Sequence, residues 1–221
     1  MEQTQTADAV SAGGLAGGGS WFERRVVAWC TLGLVISAAA AVRFYRLGAL
    51  PLWGDEGATV RFANKPLGVL WGPEAVKETN PPLFYTVQHF WRVFGESEAA
   101  LRSFSAACGV AVVALTYSFA AGIAPAATRR RTGLIAAALS ALSVEQIHHG
   151  RDARAYVMMT LLVVGVLLSL SYLMRHAAAA ARPMWQIGGG ADGPGGRGRW
   201  AAWLGYVVCA TLLLYTHNTA V

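Results

Sequence analysis

Charge is scarce in this sequence: Asp, Glu, Lys and Arg together make up 14% of its 221 residues. Against 55% hydrophobic residues and a mean hydropathy of +0.41, that leaves too little polar surface to cover a water-soluble globule of this length. A soluble single domain is excluded, and lipid must supply the missing cover. Cysteine is scarce too. Cys30, Cys108 and Cys209 lie far apart inside apolar runs, which excludes a disulfide framework and a Cys-based zinc or redox motif, so all three read as small core residues. Acids are outnumbered, giving a net charge of +6. The excess of base sits in short clusters between apolar runs, the pattern of cytoplasmic anchoring, so no nucleic-acid partner is expected. Residues 1–20 lack hydrophobic periodicity and, with Arg24 and Arg25, read as a flexible cytoplasmic tail over 1–25. No small-residue cleavage site follows the first apolar run, which makes it a retained signal anchor.

What is present is a series of long apolar runs. Five of them, 26–42, 99–123, 133–147, 155–174 and 200–216, approach the roughly 20 residues a helical span needs, the third by borrowing its flanks. A sixth, 82–94, is aromatic-rich, only about 13 residues long and carries His89 and Arg92, which suits an interfacial or re-entrant helix. Basic residues choose between the two topologies. With five spans, Arg24 and Arg25, then Arg129, Arg130 and Arg131, then a linker over 175–199 bearing Arg175, Arg182, Arg197 and Arg199, all fall on the cytoplasmic side; counting 82–94 as a span expels the later two clusters. The expected fold is therefore an all-α polytopic membrane helix bundle over 26–221, in the plasma (inner) membrane. Its first extracytoplasmic loop, 43–98, is large, and its second, 148–154, is short. Segments 57–64 and 66–76 mix apolar and polar residues at helical intervals, and Asn80-Pro81-Pro82 stops one helix and starts another, so two or three juxtamembrane helices are expected. Residues 188–198, rich in Gly, read as a flexible linker. Trp21, Trp53, Tyr172, Trp200 and Tyr215 fit a belt at headgroup level, and Trp29 the core.

Three polar sites share one side of the membrane in this topology. Asp55 and Glu56 lie in LPLWGDEGATV just past the first run. A carboxylate held at a membrane edge among apolar groups suits a base or a cation ligand; equally, Asp55 suits the cap of the next helix. Adjacent helical residues point about 100° apart, so the two are not expected to face one pocket. Asp152 lies between Arg151 and Arg154 in HHGRDARAYVMM. This is either a self-neutralising cluster or an acid that aims guanidinium groups at a phosphate. His148 and His149 alone are a weak metal signal. In YTHNTAV, His217 follows the last run and matters if it shares a cavity with Asp55 and Asp152.

At these residues the sequence resembles glycosyltransferase family 39, the membrane enzymes related to protein O-mannosyltransferases and to the aminoarabinose and Rgt-type lipopolysaccharide sugar transferases. The matching segments are FYRLGALPLWGDEGATV, ETNPPLFYTVQHFWRVFGESEAALRSFSAACGV, LSVEQIHHGRDARAYVMM and LLYTHNTA, in the family's order over residues 44–219. The resemblance implies a GT-C bundle using a polyprenyl-phosphate sugar as donor, with a lipid, a glycan or a protein as acceptor. It matches the family's acid after the first span to Asp55, with Glu56 beside it, and its acidic-Ala-Arg-x-Tyr motif to Asp152, Arg154 and Tyr156, with Asp152 one methylene shorter than the usual Glu. It matches the Pro-Pro segment to Pro81 and Pro82, the following His to His89, the Arg heading the next span to Arg102, and the Thr-His pair to Thr216 and His217.

In the mechanism so implied, Asp55 takes the acceptor proton, and Arg154 with His217 stabilises the departing lipid phosphate. Asp152 orients these groups or, with Asp55, holds a divalent metal ion; no other cofactor is implied. A rival reading is a transporter or lipid-binding module, although transporters place ionisable groups near the bilayer midplane and these collect at the ends of runs. A third is an inactive fragment, since the resembling family continues with further spans beyond the position of Val221.

Overall fold

Apolar runs with neither strand-like alternation nor interior proline fold as helices, and among the described residues of the computed structural model, 21–73, 80–180 and 196–216, all regular structure is helical. The order is α1 (Trp21–Phe44), α2 (Gly54–Ala63), α3 (Leu67–Leu70), α4 (Leu83–Trp91) with a 3₁₀ turn (Arg92–Phe94), α5 (Glu98–Ile123), α6 (Arg129–Leu142), α7 (Val144–His149), α8 (Tyr156–Ala180) and α9 (Gly196–Leu214). Three of them are long and apolar enough to cross a membrane, over Arg25–Phe44, Glu98–Ile123 and Tyr156–Ala177. The other two expected spans are shorter. α6 has 14 residues, about 21 Å at 1.5 Å each, and the apolar part of α9 is Gly198–Leu214.

Several boundaries differ from expectation. α1 begins at Trp21, so residues 21–25 belong to the helix and not to a tail; residues 1–20 lie outside the described residues. The linker expected over 175–199 is helical at both ends, in α8 up to Ala180 and in α9 from Gly196, with 181–195 outside the described residues. Trp29 is not core: 60% exposed, it projects beside Tyr117. Cys30 is exposed as well, whereas Cys108 is buried and Cys209 half-buried.

α5 is the central element, packed against α1, α6 and α8, and α9 packs against α8. The α1–α5–α6 seam is made of small and β-branched residues, Ala39, Val113, Ala137 and Ala141 with Leu32, which bring the backbones close as in membrane helix pairs. Between α1 and α5, helices α2, α3 and α4 form a cap over one end of the bundle. Phe84, Tyr85 and Leu70 bury themselves against Ala155, just before α8, and Met158 and Leu162 of α8.

The run expected over 133–147 is broken at Ser143, and the cause is Arg43. Its side chain is fully buried at the end of α1, where it donates from Nη1 to the carbonyls of Ala39 (3.2 Å) and Ala141 (3.4 Å) and from Nη2 to Ser140 (3.4 Å). The last carbonyls of a helix have no intrahelical donor; the guanidinium supplies one. Ser143 then turns extended and caps α7 by accepting from the Gln146 N–H. Room for Arg43 comes from glycine, since a Cβ on Gly109 would stand 2.7 Å from Arg43 Nε. Gly109→Val is therefore expected to cost about 1–3 kcal/mol through overpacking. The check is the unfolding midpoint in detergent, and an unchanged midpoint would mean that this junction is slack.

The two ends of the bundle differ in charge. Arg129, Arg130 and Arg131 lie beside Val27 and Thr31 near the start of α1, in a stretch, 99–144, without any acid. Arg175 donates to the Gly122 carbonyl at the same end. Among the described residues Asp55, Glu56, Glu96, Glu98, Glu145 and Asp152 lie at the opposite end, while Glu23, in the first turn of α1, stays at the basic end.

Candidate functional site

The site grows from Glu56. It occupies the third position of α2, so its carboxylate reaches back to the Trp53 N–H (3.3 Å) and satisfies an otherwise orphaned helix-start donor. The cap expected of Asp55 thus falls to its neighbour. Glu56 is 0% exposed and pairs bidentately with Arg102 of α5, Nε to Oε1 at 2.8 Å and Nη2 to Oε2 at 2.6 Å. Its Oε1 also accepts from the Ala153 N–H at 2.8 Å.

Arg102 spends its remaining donors on backbone. Nη1 bonds the carbonyls of Leu47 (3.0 Å) and Leu50 (2.8 Å), and Nη2 that of Pro51 (3.1 Å). All five guanidinium N–H groups and all the carboxylate's acceptor positions are accordingly used inside the protein. The pair ties together the 47–51 turn, the start of α2, α5 and the 150–155 loop. Burial by itself would raise the Glu56 carboxyl, but hydrogen bonds from Arg102 and Ala153, with the guanidinium charge, outweigh it and hold the group below the usual carboxylate range. Glu56, expected as a catalytic acid, and Arg102, expected to bind substrate, are here a strut with no valence to spare.

Asp55 points the other way. Its side chain is 52% exposed, and its Oδ2 stands 3.4 Å from Arg154 Nη2, while Arg154 Nη1 donates to the Asp55 carbonyl at 3.3 Å. The desolvated carboxylate of the pair is Glu56, not Asp55. Arg154 lies over the Tyr156 ring, 5.6 Å from its centroid, so two residues of the acidic-Ala-Arg-x-Tyr segment sit beside Asp55.

Asp152, 15% exposed, faces the histidines: His148 Nε2 is 3.7 Å and His149 Nδ1 4.0 Å from its Oδ2. Burial pushes its carboxyl up from the usual range, with the charge of His148 acting against this. Asp152 and His148 line an open cleft of about 1040 Å³ together with Trp53, Arg102, Ile147 and Arg151. Among the described residues the three donors that converge at metal-ligand spacing are His148, His149 and Asp152, and Asp55 is not one of them. An ion held jointly by Asp55 and Asp152 would have to compete with Arg154, which already faces the Asp55 carboxylate.

The other expected residues hold the cap in place. Pro82 precedes the first turn of α4, whose Leu83 N–H donates to the Tyr215 carbonyl at 3.2 Å, drawing the end of α9 to the same bundle end. Pro81 is half-buried beside it. His89 donates from Nδ1 to the Ala63 carbonyl (2.7 Å), which closes the end of α2. Thr216 is buried and donates to the Leu212 carbonyl, and His217 lies outside the described residues.

The segments containing Asp55 and Asp152 therefore meet at one end of the bundle, with Tyr215 beside the cap. Arg43 was not anticipated as a site-organising residue. Its only signal was a lone cation closing an apolar run. Comparison with family models, with curated proteins and with solved structures finds no match.

Proposed function

We propose that the chain works as a membrane glycosyltransferase of GT-C type, with about five spans, that moves a sugar from a polyprenyl-phosphate carrier to an acceptor hydroxyl. The observation that carries this reading is the juxtaposition of the half-exposed Asp55 carboxylate with the Arg154 guanidinium, at the bundle end that also holds Asp152 and the open cleft. An accessible carboxylate suits proton removal from an acceptor. A fixed cation a few ångströms away suits the negative charge that grows on a departing lipid phosphate, and it stabilises the transition state more than the ground state. Attack opposite that phosphate inverts the anomeric centre. The five-span arrangement takes α6 with α7 and α9 as the two remaining crossings. Positive residues retained in the cytoplasm put the Arg129–Arg131 end inside and the acidic end outside. A transporter is disfavoured, because the paired acids Asp55, Glu56 and Asp152 collect at one end and none lies in mid-helix.

The test is sugar transfer from polyprenyl-phosphate sugars in membranes of cells expressing the protein. Arg154→Ala is expected to lower the turnover roughly 10²–10³-fold, the usual cost of losing one donor to a developing anion. Transfer at an unchanged rate would remove Arg154 from the reaction, and no transfer by wild type with any such donor would end the reading.

A further inference from the structure

The sugar-transfer reading leaves one cluster at the bundle end without a task. His149 Nε2 is 2.9 Å from Glu145 Oε1, and a carboxylate accepts, so this nitrogen carries the proton and Nδ1 holds a free lone pair. That Nδ1 is buried without a hydrogen-bond partner and is turned toward Asp152 Oδ2 at 4.0 Å. An orphaned ring nitrogen is costly unless something occupies it. The Nε2 atom of His148 lies 3.7 Å from the same Oδ2, and one ligand atom from each of the three residues lies within 4.8 Å of the others. A carboxylate behind an imidazole in this way is the usual second layer of metal sites, where the acid fixes the tautomer and raises the basicity of the ligand.

We propose that His148 Nε2, His149 Nδ1 and Asp152 Oδ2 form a three-ligand site for a borderline divalent cation, Zn²⁺ above all. Two imidazoles and a carboxylate select against Mg²⁺ and Ca²⁺, which take oxygen donors, and match the nitrogen-rich sets of zinc. Tetrahedral ligand atoms about 2.1 Å from zinc stand roughly 3.4 Å apart. The triangle needs only a small contraction, and His148, 68% exposed, is free to rotate into it. Neighbouring cations do not oppose the ion strongly: Arg102 is spent on Glu56, Arg154 faces Asp55, and Arg151 donates to the Tyr45 carbonyl. Because His148 and Asp152 line the cleft, the fourth coordination position opens toward it, where an anionic oxygen can bind. The site stands whether or not the chain transfers sugar.

The experiment is a metal titration of the protein purified in detergent without a polyhistidine tag and stripped with chelator. Zn²⁺ is followed by calorimetry, and Co²⁺ by its visible absorption. One ion per chain is expected, with binding lost in His148→Ala and in Asp152→Asn, weakened roughly 10–100-fold in Glu145→Ala, and unchanged in Asp55→Asn. His148 is exposed enough that its alanine variant keeps the fold. Absence of binding by wild type, or undiminished binding by His148→Ala, overturns the proposal.

Discussion

Glu56→Gln is expected to destabilise the protein by about 3–5 kcal/mol, the cost of leaving a buried guanidinium without its counter-charge. The amide keeps the shape of the side chain, so the loss is electrostatic and not a cavity. The acid's folded-state proton affinity lies below its usual value, which fixes the pH dependence. The stabilisation is fully present above the ordinary carboxylate range, about pH 4.3 for Glu, and is lost as the pH falls toward the lowered native value. Wild type and Glu56→Gln should thus differ most near neutrality and converge in acid. Removing both partners, as in Glu56→Leu with Arg102→Met, is not expected to restore stability, unlike many buried pairs. The carbonyls of Leu47, Leu50 and Pro51 and the N–H groups of Trp53 and Ala153 would all lose their partners. Unfolding midpoints of the three proteins in detergent, from pH 7 to well below about pH 4.3, decide the matter. A loss below about 1 kcal/mol, the range of an exposed ion pair, would show that the strut is solvated.

The same pair marks where sequence reading stops. The runs 26–42, 99–123 and 155–174 announce α1, α5 and α8 because apolar length is a local property, and Asn80-Pro81-Pro82 announces the start of α4 because proline acts on its own neighbours. The break at Ser143 was not legible, since the donor that satisfies the carbonyls at the end of α6 is Arg43, 98 positions from Ala141. Nor was the inward choice of Glu56 over Asp55. Two adjacent carboxylates have the same local chemistry, and only Arg102, 46 positions away, fixes which one turns in. A fainter signal existed in the spacing of Trp53 and Glu56, three residues apart as in a capping box. The metal-like triad was likewise readable in part, as His148 and Asp152 are four residues apart, but its second layer needed the geometry of Glu145 and His149.

Asp55→Asn should separate chemistry from architecture. Asparagine keeps the size of the side chain but cannot take a proton, so if Asp55 is the base the variant should lose about 10²–10⁴-fold in turnover, which is roughly 3–5 kcal/mol of barrier. The substrate's KM should stay near its wild-type value, because a proton acceptor is needed in the transition state and adds little to binding. With its side chain half exposed and bound to one guanidinium at 3.4 Å, Asp55 contributes little to the fold, and the unfolding midpoint should not move. Glu56→Gln is the contrasting case, in which activity and stability fall together because the strut positions both Asp55 and the 150–155 loop. Transfer near the wild-type rate in Asp55→Asn would remove the base. A loss of stability equal to that of Glu56→Gln would instead make Asp55 a second strut, and the acceptor's proton would have to leave by another route, with Asp152, which lines the cleft, the next carboxylate.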